Sequence, residues 1–177
     1  MRKVVVYELL SLDGVAEDPD EFMDWDDGVE ADLTELIAAQ DAVILGRRSY
    51  DEWAAFWPTS DIEPFAGFIN GVAKHVATST PFTREWARTT VIDGDPVDYV
   101  RTLKSQDGGD IGVHASITLA RDLIAAGVVD ELAVVIAPVI RGTKRRLLDG
   151  LEKTKLTLLR STTSERGNLI ARYRLGD

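Results

Sequence analysis

Val4, Val5, Val6 and Tyr7 form an apolar run without polar alternation, the pattern of a strand buried on both faces. Further on the period changes. Leu33, Leu36 and Ile37 recur at helical spacing and predict an amphipathic helix from about Glu30 to Ala39. The stretch between, Ser11 to Gly28, is acidic and broken by Gly14, Pro19 and Gly28, so it reads as a long loop. Ala42-Val43-Ile44-Leu45 predicts another buried strand, stopped by Gly46. Arg47 to Ala55 predicts a short helix, and Pro58 ends that region. Asp61 can cap a further helix with Ile62, Phe65, Ala66 and Ile69 on one face and Asn70-Gly71 as its stop.

His75-Val76-Ala77 and Thr89 to Ile92 predict short strands. Asp95-Pro96 is a cap followed by a first-turn proline, and Val97, Val100 and Leu103 continue one helical stripe closed by Gly108-Gly109. Ile111-Gly112-Val113 predicts a strand that passes through His114-Ala115 into a helix starting at Ser116. That helix buries Ile117, Ala120, Leu123 and Ile124, and Gly127 ends it. Leu132 to Ile140 predicts a strand broken at Pro138. Lys155 to Ser161 and Asn168 to Leu175, separated by Ser164, Glu165 and Gly167, predict a terminal antiparallel hairpin. Alternating strands and helices from residue 4 to about 136 predict an α/β fold, a largely parallel sheet covered on both faces. No repeat, linker or low-complexity segment interrupts it, so one domain is expected over 1–177.

Composition narrows the function classes. The 177 residues are 45% hydrophobic and 28% charged, as in an ordinary soluble globule. A net charge of -10 disfavours nucleic acid and anionic membranes as partners. There is no cysteine, and only His75 and His114 supply imidazole, so no metal site is expected. Glu8 interrupts the apolar start and no small-residue cleavage site follows, so the N-terminus reads as a strand rather than a signal peptide. Leu132 to Ile140 is shorter than the ~20 residues of a membrane helix. A cytoplasmic location is the expectation.

Gly46-Arg47-Arg48-Ser49 stands where a strand ends and a helix begins. Backbone N–H groups there suit an anion, with Arg47 or Arg48 pairing phosphates and Ser49 offering a hydroxyl. The alternative is a tight turn with two solvated arginines. Trp25, Trp53, Phe56 and Trp57 fit a wall that stacks a flat heterocycle, or equally a core or dimer contact. Lys144-Arg145-Arg146 fits a basic rim for a substrate phosphate, or a solvated loop.

Ser11-Leu12-Asp13-Gly14, Ile44 to Tyr50, and the block from Gly112 to Gly150 together resemble the reductase domain of riboflavin biosynthesis, the C-terminal domain of the bifunctional deaminase-reductase. Val128-Val129-Asp130-Glu131-Leu132 and Ala137-Pro138-Val139-Ile140-Arg141-Gly142 are the most specific part. That domain shares its fold with dihydrofolate reductase. The resemblance implies a three-layer α/β/α fold with a mixed, mostly parallel sheet of about eight strands. It implies NADPH as cofactor and a small-molecule substrate: a ribosylaminopyrimidine, as for a phosphoribosylamino-uracil reductase, or a related flat nitrogen heterocycle. It also implies a homodimer. The zinc deaminase that often accompanies this domain is not expected within these 177 residues.

By the same resemblance, Thr78-Ser79-Thr80 lies on the adenosine side, although Ser and Thr before Pro81 also suit a plain turn. Gly112 to Thr118 is the third cofactor segment. Gly112, Val113 and Ala115 form its approach, and the N–H groups of Ser116, Ile117 and Thr118 face the pyrophosphate. Asp13 lies in the loop beside the nicotinamide, available to a substrate. Asp32 stands where dihydrofolate reductases place their pterin-binding carboxylate, with Glu30 and Glu35 as alternative registers. The sequence departs from the family where His114-Ala115 replaces glycine and where Lys144 replaces a second glycine. Those departures keep open a non-catalytic nucleotide- or heterocycle-binding module of the same fold. A true dihydrofolate reductase is a third reading, although the Pro-Trp pair usual before its first helix is missing.

Overall fold

The computed structural model describes residues 1–176. The chain runs β1 (Val4–Ser11), α1 (Asp27–Ala38), β2 (Gln40–Gly46), α2 (Arg47–Phe56), α3 (Phe65–Gly71), β3 (Ala73–Ala77), β4 (Thr89–Val91), α4 (Pro96–Lys104), β5 (Asp110–His114), α5 (Ile117–Ala125), β6 (Glu131–Ala137), β7 (Leu156–Thr163) and β8 (Leu169–Leu175). Eight strands form one sheet in the order β4-β3-β2-β5-β1-β6-β8-β7. β1 to β6 are mutually parallel, and β8 is antiparallel to both β6 and β7.

β1 is apolar on both sides because it is central. It pairs with β5 through Val4–Tyr7 and with β6 through Val5–Ser11. Its alternate residues feed two cores. Val5 and Tyr7 join Val29, Leu33 and Leu36 of α1, Tyr50 of α2 and Phe65 and Ile69 of α3 on one face. Val4, Val6 and Leu10 join Val100 and Leu103 of α4 and Leu119, Ala120 and Leu123 of α5 on the other.

Several element ends differ from the periodicity reading for local reasons. α1 begins at Asp27 rather than near Glu30 because Asp26 caps it, accepting the Val29 N–H at 3.1 Å. α3 begins only after Pro64, so Asp61 does not cap it and Ile62 is left exposed. β6 stops at Ala137, at the break expected from Pro138, and Ile140 beyond it is exposed. Lys74 on β3 is fully buried with no carboxylate beside it. Its Nζ donates to the Ile69 and Val72 carbonyls at 2.8 and 2.9 Å and sits 4.6 Å from the Trp86 ring centroid. Burial pushes its pKa down to about 8.

The chain moves outward from β2 to β3 and β4, then returns to insert β5 between β2 and β1. That reversal brings the β2–α2 and β5–α5 turns side by side, where ligands settle in open α/β sheets. Among the described residues no helix is long and apolar enough to cross a membrane.

Candidate functional site

The two turns are tied directly to each other. The Gly46 N–H donates to Ser116 Oγ at 2.9 Å, and the Ser116 N–H donates to Ser49 Oγ at 3.1 Å. Ala115 and Ser116 both take left-handed backbone angles, with φ 51 and 61, which turns the chain sharply from β5 into α5. The amides of Gly46 and Ser116, expected to face a ligand, are therefore taken by serine hydroxyls. Neither α2 nor α5 has a capping side chain at its N-terminus. The first-turn N–H groups of Arg47 and Arg48, and of Ile117 and Thr118, are thus the ones left for an anion.

Next to this junction a cleft of about 430 Å³ opens at the ends of β3 and β4, lined by Arg47, Thr78, Ser79, Thr80, Ile92 and Gly94. Arg47 builds its wall. Nη1 donates to Thr80 Oγ1 (2.6 Å), Pro81 O (2.8 Å), Thr80 O (3.0 Å) and Thr78 Oγ1 (3.3 Å), while Nε pairs with Asp51 at 2.7 Å. The hydroxyls and a guanidinium thus converge on one surface, although 31 positions separate Arg47 from Thr78. Arg48 instead points outward, paired with Glu52 at 3.0 Å and Glu17 at 3.7 Å with a mostly exposed side chain.

Gly112 and Val113 belong to the interior rather than to the ligand side. Val113 is fully buried in the second core. Above Gly112 the Gln40 side chain crosses the sheet to His114, whose Nε2 lies 2.8 Å from Gln40 Oε1. A Cβ on residue 112 would meet Gln40 Oε1 at 2.2 Å and His114 Nε2 at 2.8 Å, so glycine is required for packing. His114 is buried among Tyr7, Phe65 and Phe68, with ring centroids 5.6 to 6.0 Å away. Burial pushes its pKa down to about 3, so the imidazole stays neutral.

Asp13 is held by the protein itself. Its carboxylate accepts the Arg141 N–H (2.9 Å), the Gly142 N–H (3.0 Å) and the Ser11 hydroxyl (2.7 Å), with Arg146 at 3.4 Å. These donors hold its carboxyl far below the usual carboxylate range. A carboxylate lowered in this way stabilises the fold fully above its unfolded value of about 4, and the contribution fades as pH falls below that value. Asp13→Asn is therefore expected to lower Tm at pH 7, with the gap to wild type closing below about pH 4. A gap independent of pH in thermal melts would remove this account.

The basic run at 144–146 likewise fastens the acidic loop rather than forming a free rim. Lys144 pairs with Asp18 at 2.7 Å, Arg145 donates to Thr118 Oγ1 at 2.7 Å, and Arg146 donates to the Asp13 and Gly142 carbonyls at 2.8 and 3.1 Å. Asp32 sits on the α1 side of the sheet, paired with Arg160 and 3.8 Å from Arg172. Glu35 shares Arg160 at 2.7 Å, whereas Glu30 is exposed. Trp53 and Trp57 pack edge-on against Phe65, at 5.5 and 4.9 Å, and extend the first core. Trp25 is 43% exposed. No group of three or more His, Asp or Glu among the described residues is placed to hold a metal ion.

Sequence reasoning missed the Gln40–His114 bond and the reach of Arg47 to residues 78–81, because nothing local signals either contact. One signal was visible: Glu8 is a charge inside an apolar strand, and it is 4% exposed.

The family model of the RibD C-terminal domain matches residues 2–170. The uncharacterized protein YwjB of Bacillus subtilis is 27% identical over 162 residues, 89% of each chain. Among solved structures, a putative riboflavin biosynthesis protein from Shewanella sp. PV-4 matches with a TM-score of 0.78 at 16% identity over 99% of both chains. A dihydrofolate reductase from Enterococcus faecalis, complexed with NADP(H), matches with a TM-score of 0.64 at 11% identity over 99% of this chain and 97% of its own. The fold is that of dihydrofolate reductase, as the resemblance implied.

Proposed function

Because this chain belongs to the RibD C-terminal domain family, we propose that it is an NADPH-dependent reductase acting on a flat nitrogen heterocycle or its ribosylamino derivative. One observation carries the reading. Arg47, the first residue of α2 beside the Gly46–Ser116 junction, also walls the Thr78–Thr80 cleft, which suits an adenosine phosphate next to a diphosphate. The residues present fit the group. Arg47 and the hydroxyls of Thr78, Ser79 and Thr80 would hold the adenosine end with its extra phosphate, and the N–H groups of Arg47, Arg48, Ile117 and Thr118 the diphosphate. When bound, the dinucleotide supplies the hydride. The protein's part is to align the two flat rings and exclude water, which explains why no nucleophile or metal cluster is needed. Residence in the cytoplasm and assembly as a homodimer belong to the same proposal.

NADPH titrated against tryptophan fluorescence is expected to give saturable quenching below millimolar concentration; a flat trace at millimolar NADPH would remove the proposal. Ser116→Ala removes the Gly46–Ser116 tie that holds the two turns side by side and is expected to weaken NADPH about tenfold. Unchanged affinity in the same titration would show that the junction plays no part.

A second reading, binding without turnover, rests on the departures at His114-Ala115 and Lys144. Steady NADPH consumption with any ribosylaminopyrimidine or dihydropteridine would eliminate it.

A further inference from the structure

Glu8 is a buried acid with no partner. It is 4% exposed on the central strand β1, and its Oε1 is shut away from water without a hydrogen bond. Such an orphan costs stability unless a group from outside the chain meets it. Its position in the sheet supplies one. β1 pairs with β5 up to the rung Tyr7–His114, so Glu8 lies one residue past the last rung, beside the Ala115–Ser116 turn. On its other side it pairs with Val134 of β6. It alternates with Val6 and Leu10, on the sheet face that α5 covers.

The order of the strand ends matters here. The adenosine cleft sits over β3 and β4, and the diphosphate junction over β2 and β5. The next strand is β1. A dinucleotide laid along that track brings its nicotinamide ring over β5 and β1, where Glu8 stands. We propose that the Glu8 carboxyl binds the carboxamide of the nicotinamide ring; this rests on the reductase reading above. An acid and a primary amide are complementary edge to edge. The carboxyl O–H donates to the amide carbonyl, and the carboxyl C=O accepts an amide N–H. That pairing needs the acid to carry its proton, and burial raises the Glu8 pKa well above the ordinary carboxyl value.

The test uses three ligands on three proteins. The ligands are NADPH, its 3-acetylpyridine analogue, which lacks the amide N–H, and 2′-phospho-ADP-ribose, which lacks the ring. The proteins are wild type, Glu8→Gln and Glu8→Leu. Wild type is expected to prefer NADPH over the acetylpyridine analogue about tenfold, the loss of one buried hydrogen bond. Glu8→Gln keeps a donor and an acceptor and retains the preference. Glu8→Leu binds both dinucleotides equally, with unchanged affinity for 2′-phospho-ADP-ribose. Glu8→Leu also removes the orphan and is expected to raise Tm by about 2–4 °C. A wild-type ratio near one, or a preference surviving in Glu8→Leu, overturns the assignment. Failure of wild type to bind all three ligands overturns the reductase reading instead.

Discussion

Gly112→Val is expected to destabilise the protein by about 3–5 kcal/mol, through overpacking plus the loss of one buried hydrogen bond. The site has no room to relax. A Cβ there falls 2.2 Å from Gln40 Oε1, and the atom it displaces is the one bonded to His114. His114 cannot retreat either, because Tyr7, Phe65 and Phe68 enclose its ring. If Gln40 swings away, His114 keeps a buried Nε2 with no partner, and burial denies the ring the alternative of protonation. Urea unfolding would show a lower midpoint at unchanged slope. Gly71→Ala, where nothing lies within 4 Å of the added carbon, serves as a control and should unfold near wild type. Gln40→Ala removes the clashing atom, so it should couple to Gly112→Ala in a double-mutant cycle rather than add to it. A wild-type midpoint for Gly112→Val would dismiss this packing account.

Arg47→Leu is expected to erase the preference for NADPH over NADH, a loss of about 100-fold that corresponds to about 2.7 kcal/mol. Two effects of the substitution can be separated. Arg47 also holds the turn at 78–81 through Thr78, Thr80 and Pro81, so its loss loosens the cleft and weakens both cofactors alike. Only the missing charge acts on NADPH alone, and the ratio isolates it. Asp51 draws on the same guanidinium at 2.7 Å, so Asp51→Asn should move the ratio in the opposite direction. An NADPH to NADH ratio unchanged in Arg47→Leu would mean that the extra phosphate is read elsewhere or not at all.

Both predictions rest on contacts that sequence reasoning could not reach. Gly112 was expected to open a cofactor segment, whereas it makes space for Gln40. Asp13 was expected beside a substrate, yet it clamps the start of the acidic loop to residues 141 and 142. Trp53 and Trp57 were read as a stacking wall or equally as a core contact, and they pack on Phe65. In each case the residue type was suggestive and its surroundings were set by a segment remote in the chain.

The strands, the alternation with helices and the closing hairpin were legible because they are local. An apolar run without alternation must be covered on both faces, and a proline or glycine ends an element wherever it falls. The order of the strands was not local. Inserting β5 between β2 and β1 decides that Gly46 meets Ser116, that Gln40 lies over Gly112 and that Glu8 stands at the end of β5. Hydrophobic period specifies which face of an element is buried, but not which other element covers it. The neighbours of each polar side chain therefore follow from how the whole sheet is assembled.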